Sequence, residues 1–277
     1  MKTIVIHPSV DLDCIAASWI IMRNFPEWDE AKIEYIPYGG LWENVPVDEN
    51  PNVLYVDVGQ GRFDHHQRTE YTSATKLVYE YACEKNYIEG KSVEALARLV
   101  ALVNEIDHFA EWNYPEAASD RWDLSLFQIM AGLKQKGYKD EKLIELVFVA
   151  LDGVLQLLKN KIKAEGEIKQ GYVFTSRWGK TLCMNSSNDE AMRLAQKTGY
   201  HMVVTKNPED GGVRIKTVPL QTLDLTPLYE RITEKDKTGT WYLHISKHML
   251  LNGSKKKPGF VPSPLTLQQL IEIVRSL

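Results

Sequence analysis

The chain has 277 residues, 44% hydrophobic and 25% charged, which suits a globular protein long enough for two domains. A net charge of −4 and a pI of about 6.0 exclude broad non-specific binding to nucleic acid or to an anionic membrane, though not a local basic groove. Cys14, Cys83 and Cys183 form no CxxC pattern, which excludes a zinc finger and points to reduced thiols in a cytoplasmic setting.

The N-terminus enters a strand at once, at 3–6. There is no signal-peptide pattern and no apolar run of roughly 18 residues, so neither secretion nor a membrane partner is expected. The strand runs through His7-Pro8-Ser9-Val10-Asp11-Leu12-Asp13-Cys14 into an apolar helix, 15–24. Carboxylates near a helix N-terminus are favourable by themselves, so Asp11 and Asp13 can be read as caps. Capping leaves His7, at the strand's exit, without a purpose; metal binding by the trio is the other reading.

A second strand is expected at 33–37 and a third at 53–57. The third is apolar and partly β-branched, as a buried strand of an α/β sheet should be. Asp57 ends it, where open α/β sheets place their ligands. Phe63-Asp64-His65-His66-Gln67 follows. Adjacent histidines on a strand point apart, but a turn brings both imidazoles to one site. The alternative is a surface loop that happens to hold the pair. Helices are expected at 73–84 and 93–107, the second with Leu96, Leu99, Val100 and Val103 on one stripe. Asp107 ends that stripe, where a carboxylate opposes the helix dipole unless something positive meets it. His108 reads as a ligand, a helix-end cation or neither.

Helical patterns follow at 124–133 and 141–167, the latter connecting to a second domain near Gly171. The expected division is 1–168 and 169–277. The second domain reads as α+β: a hairpin at 172–176 and 180–185, a helix at 189–198, and a hairpin at 201–205 and 212–217. A helix at 225–233, a strand at 241–245 and a terminal helix at 266–277 complete it. Lys255 and Lys256 sit in a basic loop bounded by glycine and proline, which suits a phosphate clamp or plain solvation. Arg214 and Lys216 lie two apart on a strand, hence on one face, toward a cleft or toward water. His244 is a further substrate-binding candidate.

Collected, His7, Asp11, Asp13, Asp57, His65, His66 and Asp107 come from four segments. Four ionised carboxylates in one cleft repel each other unless cations meet them. Mixed Asp/His ligation suits Mn²⁺, with Co²⁺, Fe²⁺, Zn²⁺ or Mg²⁺ as other divalent choices. The order His-x-x-x-Asp-x-Asp, Asp at a strand end, Asp-His-His, then Asp after a helix resembles the DHH phosphoesterase superfamily. That family includes manganese-dependent family II pyrophosphatases, exopolyphosphatases, single-strand exonucleases and oligoribonucleases.

The resemblance implies a mostly parallel α/β metal-binding domain and a smaller α+β substrate domain. It implies two Mn²⁺ ions, one held by His7, Asp11, Asp57 and Asp107, the other by Asp13, Asp57, His65 and Asp107. His66 would contact the scissile phosphate or protonate the leaving group, and Asp64 would orient His65. A metal-bound hydroxide would attack a phosphodiester of a nucleotide or short single-stranded oligonucleotide, as the Asp-His-His-Gln form suggests. The alternatives are pyrophosphate or polyphosphate hydrolysis, and non-catalytic nucleotide binding. The sequence lacks the Gly-Gly-Gly-His segment of many nucleic-acid-cleaving members, and Lys255-Lys256 resembles the Ser-Arg-Lys-Lys loop of the pyrophosphatases. Oligomeric state stays open, a homodimer included.

Overall fold

The computed structural model describes residues 1–253 and 259–277, so Lys255 and Lys256 lie outside the described residues. It divides into two compact units, Met1–Lys159 and Asn160–Leu277.

The first unit is built on a three-stranded, wholly parallel sheet in the order β2-β1-β3, formed by β1 (Thr3–Ile6), β2 (Lys32–Tyr35) and β3 (Val53–Tyr55). β1 is buried on both faces, as the central strand of a parallel sheet must be. Ile4 and Ile6 enter the main core, while Val5 packs with Ile36, Val53, Tyr55 and Val58. Helix α1 (Leu12–Asn24) is buried over almost all of its length, with Trp19, Ile20 and Ile21 inaccessible to water. It packs on α2 (Ala74–Glu84) and α3 (Lys91–Asp107). Fully burying side chains of this size contributes about 1.5–3 kcal/mol each. Two 3₁₀ turns, Ala110–Asn113 and Asp120–Leu124, link α3 to α4 (Leu126–Gln135). The long α5 (Asp140–Gln170) follows, and its Asp152 accepts from Trp19 Nε1 at 2.9 Å while pairing with Arg23.

The second unit holds a six-stranded sheet in the order β4-β5-β6-β7-β9-β8. Its strands are β4 (Tyr172–Ser176), β5 (Gly179–Asn185), β6 (Met202–Lys206), β7 (Val213–Thr217), β8 (Trp241–Leu243) and β9 (Met249–Asn252). Both expected hairpins form, but β5 and β6 pair in parallel through α6 (Asp189–Lys197). Strand β9 was not expected; its four residues, MLLN, lack the polar alternation that marks a half-buried strand. It lies between β7 and β8. The sheet is covered on both faces: Val204, Ile215 and Leu250 pack with α7 (Thr226–Lys235) and α8 (Leu267–Arg275), while Leu182, Met184 and Val203 pack with α6. Among the described residues, no helix is long and apolar enough to cross a membrane.

Candidate metal centre

Because β1 and β3 are parallel neighbours, their C-terminal exits lie side by side. Val56 N–H donates to Val5 O at 2.9 Å, continuing the ladder one step beyond β3. The next residues out are His7 and Asp57, and His7 Nε2 lies 3.2 Å from Asp57 Oδ2. His7 Nδ1 is 3.0 Å from Pro8 O. A carbonyl only accepts, so Nδ1 carries a proton, and Nε2 is the ring nitrogen turned toward the carboxylates. Asp57 itself is left-handed, φ 57°. A non-glycine residue held there costs of order 1 kcal/mol or more, and such strain gathers at functional sites.

Helix α1 delivers two more carboxylates. Asp11 is its N-cap and accepts from Cys14 N at 2.9 Å, while its second oxygen lies 3.6 Å from His7 Nε2. Capping and proximity to His7 are thus both true of Asp11. Burial works to raise its pKa, but His7 and the Cys14 amide outweigh that and lower it to about 2. Asp13, in the first turn of α1 and buried, accepts from Ala74 N at 2.7 Å and Thr75 N at 2.9 Å. It does not cap its own helix; it accepts from the first two amides of α2, whose own N-cap is Ser73. Burial first, then the charges of Asp57 and Asp107, push its carboxyl up to about 7.

The Asp-His-His segment is a turn, fixed by Asp57 N donating to Phe63 O at 2.9 Å and Asp64 N to Gly61 O at 3.2 Å. His65 Nε2 faces three carboxylates: Asp57 Oδ1 at 3.3 Å, Asp107 Oδ2 at 3.7 Å and Asp13 Oδ2 at 3.8 Å. The nearby Asp57 carboxylate is the main reason its pKa rises to about 9. Asp107, the last residue of α3, is pushed up by burial. His7 is raised as well, first by Asp11 and then by Asp57.

Asp64 corrects one expectation. Its Oδ1 accepts from His66 Nδ1 at 2.7 Å and from His66 N at 3.0 Å, and its Oδ2 accepts from Gln60 N at 2.6 Å. It orients His66, not His65, because in a tight turn its side chain folds onto the amide two residues on. Burial alone would raise Asp64; the bonds to His66 and Gln60 lower it instead. Gln67 and Arg68 brace the turn through Asp64 O, a supporting role with no marker in the sequence.

These side chains sort into three overlapping groups whose ligand atoms lie within 4.8 Å of one another: His7, Asp11, Cys14 and Asp57; Asp57, His65 and His66; Asp13, His65 and Asp107. Asp107 joins only the last, whereas the resemblance has it serving both ions. Cys14 was not anticipated; burial pushes its thiol up, and Sγ sits 3.5 Å from Asp11 O as a neutral donor. Two carboxylate oxygens of this cluster, Asp57 Oδ1 and Asp107 Oδ2, are buried without a hydrogen bond. Buried acceptors are normally satisfied. Orphaned oxygens amid crowded acids and inward-facing imidazoles are what a divalent-cation site requires.

His108 caps α3 with Nδ1 2.8 Å from Asn104 O, and Tyr71 lies against it at 4.1 Å between ring centroids. In the second unit, Arg214 and Lys216 line a cavity of about 490 Å³ beside α6, where Arg214 pairs with Asp189. His244 lies at the β8–β9 turn, its Nδ1 2.8 Å from Ser246 Oγ, away from that cavity.

No family model matches the chain, and no curated protein does. Among solved structures it is similar to a DHH-domain member of the s1p family of ribosomal proteins. That match has 11% identity, covers 99% of this chain and 86% of that one, and has a TM-score of 0.31. The residues that carry the sequence resemblance lie in chain order beside the strand exits of a parallel sheet and fall into three overlapping groups of candidate ligands.

Proposed function

We propose that the protein is a divalent-metal-dependent phosphoesterase acting on a phosphodiester in a nucleotide or short single-stranded oligonucleotide, with two ions, Mn²⁺ by preference. The observation that carries this is Asp57: Oδ2 faces His7 and Oδ1 faces His65, so one carboxylate is shared between two ligand clusters. His7 and Asp11 would complete one ion's set, and Asp13, His65 and Asp107 the other's. Bound there, divalent ions supply Lewis acidity toward phosphoryl oxygen and acidify water.

The chain's own residues do the positioning. The α2 amides fix the Asp13 carboxylate, and the Pro8 carbonyl fixes the His7 ring. Asp64 holds the His66 Nδ1 proton, and the His66 side chain is 43% exposed. His66 Nε2 is therefore the group to hand a proton to the leaving oxygen. In the second unit, Arg214 and His244 are proposed substrate-binding residues, as are Lys255 and Lys256, which lie outside the described residues. The three free cysteines fit a reducing, cytoplasmic setting.

The test is a hydrolysis panel with Mn²⁺: a dinucleotide, bis-p-nitrophenyl phosphate, pyrophosphate and polyphosphate. Turnover of the diesters, abolished by EDTA and restored by Mn²⁺, is expected. Turnover of the anhydrides alone would move the assignment to a phosphoanhydride hydrolase, and no turnover on any substrate would overturn the hydrolase reading.

A further inference from the structure

Beside the acids lies a cavity of about 280 Å³ that the metal chemistry does not use. Asp11, Asp13 and Asp107 contribute to its lining, so it is continuous with the metal centre. The remainder is apolar apart from Lys134, whose Nζ donates to Ser9 O at 3.2 Å: Val103 and Ile106 come from α3, Phe127 and Met130 from α4, and Phe109 lies between the two helices in sequence. A small concave site with apolar walls and a few polar groups at one end is the usual form of an organic-ligand pocket.

Phe109 is the unusual member. Its side chain is 76% exposed, and its backbone is left-handed at φ 56°, ψ 24°. Bulky residues are genuine outliers in that region, and nothing in the core is gained by placing this ring in water. It follows Asp107 by two residues, so the backbone that presents a candidate ligand also presents an aromatic ring at the neighbouring cavity.

We propose that this cavity takes the nucleobase of a nucleotide ester whose phosphate sits at the acid–imidazole cluster, with Phe109 and Phe127 as its stacking surfaces. This rests on the phosphoesterase reading and narrows it. Pyrophosphate and polyphosphate carry no apolar group, so the cavity has no use for them. A base has two π faces, and stacking on aromatic side chains contributes about 1–3 kcal/mol per base. The cavity is at the small end for organic ligands, which suits one base and its sugar rather than a stacked run.

Binding of AMP to the full-length chain, with Mg²⁺ present, is followed by saturation-transfer NMR and titration against inorganic phosphate as reference. The adenine H2 and H8 protons are expected to receive the strongest saturation. Phe127→Ala and Ala131→Trp, the latter filling the cavity, should each weaken AMP about tenfold relative to phosphate. Phe109→Gly, at an exposed position whose backbone suits glycine, should do likewise and decides the matter if Ala131→Trp fails to fold. AMP no tighter than phosphate, or AMP affinity within about twofold in Phe127→Ala and Phe109→Gly, overturns the proposal. Adenine contacts without turnover on any panel substrate would retain the base pocket and remove the hydrolase. Turnover with unaltered AMP affinity would do the reverse.

Discussion

Asp57 combines a strained backbone with a shared carboxylate, and the two can be separated by substitution. Asparagine tolerates left-handed φ, so Asp57→Asn should keep the fold. It removes the charge that faces both His7 and His65. Metal content after dialysis is expected to collapse, and turnover to fall by more than the roughly 10–100-fold that losing an outer partner costs. Far-UV circular dichroism should be unaltered; retained turnover would sink the assignment. Asp64→Asn tests the corrected pairing. Because Asp64 holds His66, kcat should drop about 10–100-fold while bound metal persists. Loss of metal would mean that Asp64 serves His65 after all. At this scale His7, Asp11, Asp13, Asp57 and Asp107 were legible as candidates because each sits near the end of a regular element, and His65 and His66 were legible as an adjacent pair in a turn. The partner of Asp64 was not, since it depends on turn backbone. Nor was the bond from Asp13 to α2, which joins residues 61 and 62 apart in sequence.

Helix ends and loop knots carry much of each unit's local stability. Ser73 caps α2 by accepting from Lys76 N at 3.3 Å, directly before the amides that hold Asp13. Ser73→Ala should cost about 1 kcal/mol in urea unfolding. In the second unit, Asp236, 3% exposed, ends α7 and accepts from Thr238 N, Gly239 N, Trp241 Nε1 and Ser263 Oγ at 2.6–3.0 Å. Burial opposes its ionisation, yet these donors prevail and lower its pKa from 3.8 to about 2. Its contribution is therefore complete above pH about 4 and lost as pH falls toward about 2. The size is about 2 kcal/mol. Stability measured between those values should show this fall, and Asp236→Asn should lack it. Helices were readable here from periodicity and strands from β-branched runs. The β5–β6 parallel pairing and β9 were not, because strand partners are chosen by distant apolar faces that no local pattern records.

On the scale of the molecule, each unit has its own core, and every candidate ligand lies within Met1–Lys159. A ligand that binds only the native state stabilises it by about 2.7 kcal/mol at 100 times its Kd. Calorimetry with Mn²⁺ should raise the unfolding transition of the first unit and leave that of the second in place, with EDTA reversing the change. A shift confined to the second unit would place the cation elsewhere. Composition and texture were enough to read two α/β-type bodies. The passage from one compact unit to the next falls inside the continuous helix α5. Helical periodicity carries no mark of where a helix changes its packing partner.

The carboxylate of Asp13 lies between the acid cluster and the backbone of Ala74 and Thr75. Electron density drawn from that carboxylate by a cation must weaken its acceptance from those two peptide groups. Their ¹⁵N–¹H resonances thus form a built-in gauge of occupancy, wired by nature from the metal pocket to the start of a neighbouring helix. Titrated with a diamagnetic ion such as Zn²⁺, these two signals should move together and ahead of the rest of α2.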